Sequence, residues 1–536
     1  MAKKVIETDK GGSRTPLKSK TKGKHIKMEE ALWDSANKLR GTVESSEYKH
    51  VVLALIFLKF SSDKFESRKA ELIADGKEKY LEMKEFYNMK NVFFLAPESR
   101  WSYIIANAKQ DDIALKIDTA LHNVEKNNDS LKGALPDNYF SRLNLDPSKL
   151  SALLDTINNI DTLSDKENDV VGRIYEFFLG RFAAAEGKGG GEFYTPKCIV
   201  NLLAEMLEPY KGKIYDPACG SGGMFVQSIK FVESHNGSTK DISIYGQEYT
   251  ATTYKLAKMN LAIRGISANL GDVPADTFFK DQHPDLKADY IMANPPFNQS
   301  QWREKNELED DSRWAGFQTP PTGNANYAWI MHMLSKLSEN GTAGFVLANG
   351  SMSSNTSGEG DIRQKMIEND QVDCMIALPG QLFFTTQIPV CLWFMTKNKK
   401  AQTFENSTRN HRNREGETLF IDARNMGTMM DRTHKELTKD DIAKIAQTYH
   451  AWRGESKDGE YQDQAGYCKS APLEEIKKND YVLTPGRYVG VAEEEDDGIP
   501  FETKMTELTE TLFAQMAESE NLDKAIRENL KTLGYE

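Results

Sequence analysis

The sequence predicts an α/β fold: a doubly wound parallel sheet of seven strands, preceded by an all-helical amino-terminal domain and followed by one carboxyl-terminal helix. Three observations lead there. From about residue 165, short apolar runs alternate with helical segments, the pattern of a parallel sheet covered by helices. Upstream, apolar residues recur at helical spacing between isolated Gly and Pro breakers. Downstream of residue 499, a single amphipathic stretch runs to the end.

Taken in order, residues 1–27 hold nine Lys and Arg against Glu7 and Asp9, hence +7, and read as a disordered basic arm. The helical domain spans 28–161. Residues 28–39 (MEEALWDSANKL) show one apolar face and 51–60 (VVLALIFLKF) form a second helix, while Gly76, Pro97, Gly133, Pro136 and Pro147 interrupt the helical pattern between 61 and 161. The α/β domain spans 165–490, with strands at 213–216, 242–248, 268–272, 289–293, 344–348, 372–378 and 391–396, and helices at 223–235 and 252–264. Residues 298–326, with Trp302, Trp314 and the pair Pro320 and Pro321, read as a long functional loop, and 399–417 and 454–470 as polar loops. Acids at 493–497 set off the last segment, 499–536. There Met505, Leu508, Leu512, Met516, Leu522, Ile526, Leu530 and Leu533 form one stripe of a helix that seeks a partner.

Composition narrows the class. The longest apolar run, 51–58, is far too short to span a membrane, and residues 1–27 lack the apolar core of a signal peptide. Five scattered cysteines without a CxxC pair argue against disulfides and zinc, so a cytoplasmic protein without a metal site is expected. The total charge of −12 less the arm's +7 leaves −19 elsewhere, which would repel a phosphate backbone. Either a nucleic-acid groove is locally basic, or another subunit supplies the contacts.

Two constellations carry chemistry. Ile214-Tyr-Asp-Pro-Ala-Cys-Gly-Ser-Gly-Gly-Met224 is a strand entering a glycine-rich turn and then a helix. Glycines let backbone approach a ligand, and the helix start offers free N–H groups. A dinucleotide-binding turn, or a mere tight connection, would look the same. Asp216, at the strand end, suits the cationic end of an amino acid better than a pyrophosphate. Glu248, at the tip of the next strand, is placed to accept two ribose hydroxyls, or to favour a helix dipole. Asp272 could accept from an adenine amino group, or be a turn residue; both readings stay open.

Asn294-Pro-Pro-Phe297 comes directly after the strand 289–293. Pro295 and Pro296 fix the backbone and leave carbonyls available. An amine bonded to an aromatic ring is a poor nucleophile because its lone pair is delocalised. The Asn294 side-chain oxygen and the Pro295 carbonyl can each accept one of its N–H groups, drawing the nitrogen towards sp³. Phe297 offers a flat face on which an extruded base can stack.

With both motifs in place, the chain resembles the amino-methyltransferases, and most closely the modification subunits of type I restriction-modification systems. The likeness runs from about residue 28 to the carboxyl end. It includes Leu32-Trp-Asp-Ser-Ala-Asn-Lys-Leu-Arg-Gly41, Ile56-Phe-Leu-Lys59, Gly323-Asn-Ala-Asn-Tyr-Ala-Trp329, Leu378-Pro-Gly-Gln-Leu-Phe383 and Asp480-Tyr-Val-Leu-Thr-Pro-Gly-Arg-Tyr-Val-Gly490. The resemblance implies a Rossmann-like class I methyltransferase sheet and S-adenosyl-L-methionine as cofactor. Gly191-Glu-Phe-Tyr-Thr-Pro196 is similar to the family's extra cofactor segment, so Glu192, Phe193, Tyr194, Thr195, Pro196 and Lys197 would line the methionine side. Gly220, Ser221, Gly222 and Gly223 would form the turn beneath it, and Glu248 would hold the ribose. The implied reaction is site-specific methylation of N6 of a flipped adenine, with Asn294, Pro295, Pro296 and Phe297 catalytic. Implied partners are double-stranded DNA, a specificity subunit, a second modification subunit and a restriction (motor) subunit.

No Gly-x4-Gly-Lys-Ser/Thr phosphate loop and no convincing carboxylate–lysine nuclease core occur, so the chain should modify DNA and not cut it. Cytosine N4 or a protein glutamine amide would suit a similar tetrapeptide. A non-catalytic scaffold of a nucleic-acid complex is the reading from another class.

Overall fold

The computed structural model describes residues 30, 32–34, 37, 45–163, 174, 177–178, 195–235, 237–383, 388–403, 410–491 and 501–532. The basic arm, most of the 28–39 helix, Glu192, Phe193, Tyr194, the acids at 493–497 and Leu533 lie outside them. The chain divides into two compact units, Met1–Val489 and Gly490–Glu536.

In the first unit, the helical layer is led by α1 (Ser45–Ala74). Its stretch 51–58 is apolar on all sides and correspondingly buried on all sides. Helix α2 (Ile113–Asn127) shares its core, and α3 (Pro147–Asn158) packs on it. Pro147 opens α3 at a position that needs no N–H, and the Asp146 carboxylate accepts from Ser148 and Lys149.

The α/β layer comes next in the chain. Its elements are α4 (Lys197–Leu207), β1 (Gly212–Asp216), α5 (Gly223–Ser234), β2 (Ile242–Gly246), α6 (Ala251–Ile263), β3 (Ala268–Asn269) and β4 (Ala288–Ala293). Then come α7 (Asn326–Lys336), β5 (Leu337–Ala348), α8 (Glu359–Glu368), β6 (Val372–Ala377), β7 (Val390–Thr396) and β8 (Glu417–Asp422). A small hairpin, β9 (Thr428–Met429) and β10 (Lys435–Glu436), precedes α9 (Lys439–Arg453) and β11 (Cys468–Pro472). Strand order is β11-β8-β6-β7-β5-β4-β1-β2-β3. Alternate residues enter opposite cores: Leu392 and Phe394 pack with α4 and α9, Trp393 and Met395 with α7 and α8. Helix α6 joins the layers, turning Tyr254, Ala257 and Leu261 to the sheet core and Leu256, Met259 and Ile263 to the helical core.

The doubly wound sheet is present as expected, but it has nine strands, not seven, and is mixed. Strand β7 runs antiparallel to β5 and β6, and β11 antiparallel to β8. A parallel return needs a crossover, and the described residues of the β6–β7 connection, which holds Pro379, Gly380 and Pro389, form no helix. The two further strands escape a sequence reading for different reasons. In β8 (ETLFID) only three apolar residues and a threonine stand between charges, and β11 (CKSAP) is a polar edge strand ending in proline. The segment 454–470 is therefore not loop throughout. Glu248 lies two residues beyond β2, and Asp272 three beyond the two-residue β3.

The second unit's helix, α10 (Phe501–Thr532), keeps Met505, Leu508, Leu512, Phe513, Met516, Leu522, Ile526 and Leu530 exposed.

Candidate active site

Strand order fixes where a ligand can enter. From β1 the chain steps outward through β2 to β3, then returns to the other side of β1 as β4. The loops after β1 and β4 therefore part in opposite directions and open a crevice at the strands' carboxyl ends. Asp216 ends β1 and Asn294 comes directly after β4, both in that crevice. It is lined by Thr195, Lys197, Asp216, the turn Ala218 to Ser221, Gly223, Asn294 and the flank of α5 and α6.

The glycine turn is braced from three sides. The Cys219 N–H donates to the Gln247 carbonyl (2.9 Å), the Gly220 N–H to Glu248 Oε2 (3.0 Å), and Asn260 Nδ2 to the Ser221 carbonyl (2.7 Å). Gly222 caps α5 at φ +80; an added Cβ would only touch Leu261 at 3.4 Å, so the dihedral rather than space demands glycine. A Cβ on Gly220 or Gly223 would meet nothing within 4 Å: the turn borders open space.

Asp216 is 1% exposed and accepts the Ala218 N–H at 3.0 Å. Burial, and then the Glu248 charge, outweigh that hydrogen bond and raise its carboxyl to about 8. Glu248 accepts the Gly220 N–H and, through Oε1, the Thr250 N–H at 2.8 Å, so it fastens β2's tip to the turn. Asp272 is exposed, its N–H donating to Gln282 Oε1 at 3.2 Å, and it does not line the crevice.

Asn294 Nδ2 donates to Thr195 Oγ1 at 2.9 Å. Its Oδ1 is buried and has no hydrogen-bond partner among the described residues. Pro295 is buried, Pro296 and Phe297 half-buried, and the Phe297 ring meets Phe383 edge-on at 5.8 Å and 78°. Thr195, Pro196 and Lys197 open α4, with Thr195 and Lys197 in the crevice. Asn260, Arg264 and Gln227 also line it. Sequence reasoning passed over these three; the available signal was a polar Asn260 inside the apolar run Met259-Asn-Leu261.

The loop after the tetrapeptide is self-braced. Asn298 sits at φ +51, its N–H donating to Asn326 Oδ1 (3.0 Å), while Asn326 Nδ2 donates to Asn298 Oδ1 (2.8 Å). Arg303 reaches the Pro320 carbonyl at 2.9 Å, and Arg313 the Thr277 and Phe278 carbonyls at 3.1 and 2.6 Å. Away from the crevice, Glu208, His450 and Glu455 bring ligand-type atoms together. His450 Nδ1 faces Glu455 Oε1 at 3.0 Å and Nε2 the Glu205 carbonyl at 2.9 Å, and Lys457 sits on Glu208 at 2.8 Å. Both ring nitrogens face acceptors, so the cluster is an ion-pair network.

The sheet and crevice define a class: a doubly wound α/β protein binding its ligand at the β1/β4 reversal, with an amide acceptor beside it. Comparisons narrow it. The N-6 DNA Methylase family model matches residues 166–497, and that of the HsdM N-terminal domain residues 28–157. The chain is 52% identical over 435 residues to the type I restriction enzyme HindI methylase subunit of Haemophilus influenzae, covering 80% of this chain and 94% of that one. It is 39% identical over 529 residues to the MjaIX methylase subunit of Methanocaldococcus jannaschii, covering 95% and 92%. The crystal structure of a type I restriction-modification methyltransferase subunit from Streptococcus thermophilus shares the fold at a TM-score of 0.70 with 24% identity, covering 87% of this chain and 99% of that one. The chain belongs to the N-6 DNA methylase family, among the methylase subunits of type I restriction enzymes. It is an adenine-specific DNA methyltransferase subunit.

The Asn298–Asn326 pair yields a prediction. Asn326→Ala removes the acceptor of the Asn298 N–H and the donor to its side chain, each a loss of about 0.5–1.5 kcal/mol, and should slow methylation tenfold or more with cofactor affinity within about twofold. Asn326→Asp, which can still accept that N–H, should restore most of the rate. Parallel loss of cofactor affinity and rate in steady-state kinetics would show a general structural role instead.

Proposed function

We propose that the crevice binds S-adenosyl-L-methionine and presents its methyl group to N6 of an adenine flipped out of duplex DNA. The observation that carries the reading is that Asn294, whose Oδ1 is buried and has no hydrogen-bond partner among the described residues, lines the same crevice as the glycine turn. The residues fit such a cofactor: a buried carboxylate for a cationic group, open space over Gly220 and Gly223, and apolar Val200 and Met224 beside them. Thr195, Lys197, Asp216 and the turn Gly220 to Gly223 would hold it, with Glu192, Phe193, Tyr194 and Pro196 on the methionine side and Glu248 towards the ribose. When bound, the cofactor supplies an electrophilic methyl group. Asn294 Oδ1 and the Pro295 carbonyl accept the two N–H groups of the target amine and return its lone pair to nitrogen, while Phe297 stacks on the base. Positioning and exclusion of water, not a strong base, drive such a transfer.

The partners proposed are a specificity subunit that selects the site, a second modification subunit and a restriction subunit. The exposed stripe of α10 is read as the surface for the specificity subunit.

Asn294→Ala should keep cofactor affinity within about tenfold by calorimetry yet abolish radiolabelled methyl transfer to DNA; equal loss of both would sink the assignment. Because Asp216 holds its proton up to about 8, and a cationic ligand favours the carboxylate, cofactor affinity should climb as pH rises towards 8, by up to about tenfold per unit, and level off above. Asp216→Asn should flatten that profile, and an unchanged slope would place the cation elsewhere. Deleting residues 499–536 should leave cofactor binding intact but end co-purification with the specificity subunit; a complex of unchanged affinity would put the docking surface elsewhere.

A further inference from the structure

We infer that the β9–β10 hairpin is a wedge for duplex DNA, its Met429 and Met430 entering the base stack beside the acceptor adenine while Arg432 and Lys435 meet flanking phosphates. The inference rests on the reading that the acceptor is a base of duplex DNA.

The hairpin holds its apolar tip out by construction. Met429 and Met430 are 48% and 64% exposed. Between the strands, Asp431 Oδ1 accepts the N–H groups of Thr433 (2.7 Å) and His434 (2.8 Å), and Oδ2 faces His434 Nδ1 at 2.6 Å. The Met430 N–H donates to the His434 carbonyl at 2.8 Å. Gly427, at φ +85, passes so close to the Glu436 carbonyl that a Cβ would lie 2.9 Å from it. A turn stitched in this way keeps two methionines in water at a cost that only a partner relieves.

Its place in the fold points to the substrate. Strand β8 runs parallel to β6, which shares the direction of β5 and β4, so the hairpin leaves the sheet at the same carboxyl edge as Asn294. The Lys435 N–H donates to the Gln381 carbonyl at 2.9 Å, and two residues on, Phe383 packs against Phe297. One loop thus separates the hairpin from the ring proposed to stack on the base.

Charge selects nucleic acid over an apolar protein surface. Arg424 is committed to Asp422, and His434 lies on Asp431. Arg432 and Lys435 form no ion pair among the described residues, against one likewise unpaired acid, the exposed Glu436, in a chain whose total charge is −12. Extruding a base sacrifices its stacking, and unbranched apolar side chains are suited to occupy the opened step.

The test uses the full chain with its specificity subunit, and duplexes carrying the mapped target either intact or with an abasic site opposite the acceptor adenine. M429A/M430A should slow methylation of the intact duplex at least tenfold, but of the abasic duplex no more than about threefold, with cofactor affinity unchanged. R432A/K435A should weaken DNA binding and flatten its dependence on salt. Equal slowing on both duplexes, unchanged rates on both, or loss of the specificity subunit from the purified M429A/M430A complex would overturn the wedge; the last would make the hairpin a protein contact. Failure of the unaltered complex to methylate either duplex would instead remove the acceptor reading, and the wedge with it.

Discussion

A side-chain amide has a donating end and an accepting end, and what Asn294 can do depends on which end the fold holds. Thr195 Oγ1 takes the donating end, so the oxygen is left without a partner among the described residues. With the amide reversed, N–H groups would oppose the N–H groups of an incoming amine, and no lone pair would be released on its nitrogen. The hydrogen bond joins residues 99 positions apart, at the start of α4 and the end of β4. The chemistry therefore depends on how α4 lies along the sheet, which the packing of Leu203 and Leu207 against Gly344 sets: a Cβ there would stand 3.2 Å from both side chains.

The reversal of winding between β1 and β4 brings the turn, the carboxylate and the amide to one edge, and the loops there are braced rather than slack. Cys219, Gly220 and Ser221 each spend a backbone group on a neighbouring element. The long loop after Phe297 is closed at its base by paired amides and tied across its span by Arg303 and Arg313. Such bracing suits a reaction that needs geometry more than a charged catalyst, since reacting groups held in place no longer lose entropy at the barrier.

Much of this was legible in the sequence, for identifiable reasons. Buried strands of aliphatic residues announce themselves, so β1, β2, β4, β6 and β7 fall within a residue or two of expectation at most of their ends. Glycine and proline mark positions where backbone geometry is compulsory, which made the turn and the tetrapeptide visible. What stayed hidden depends on tertiary partners. Strand β11 is a strand because β8 lies beside it, not because CKSAP favours one. Asn260 matters through a carbonyl 39 positions away. That Glu248 also braces the turn, each of its oxygens accepting a backbone N–H, is likewise a tertiary fact.

Leaving Asn294 Oδ1 buried and unmatched costs folding about 1–3 kcal/mol, which the surrounding core must offset. In the proposed role of Asn294, an amine that enters the crevice and donates to it recovers that cost, so the penalty carried by the free protein becomes attraction for one kind of substrate. The selection is by donor count. An exocyclic NH2 can satisfy both the amide oxygen and a proline carbonyl, whereas a ring carbonyl oxygen brings a lone pair against a lone pair and leaves both acceptors buried. Adenine N6 and cytosine N4 pass this filter equally, because each offers two N–H groups. In that reading the tetrapeptide alone selects an amine, and membership of the N-6 methylases is what assigns the amine to adenine.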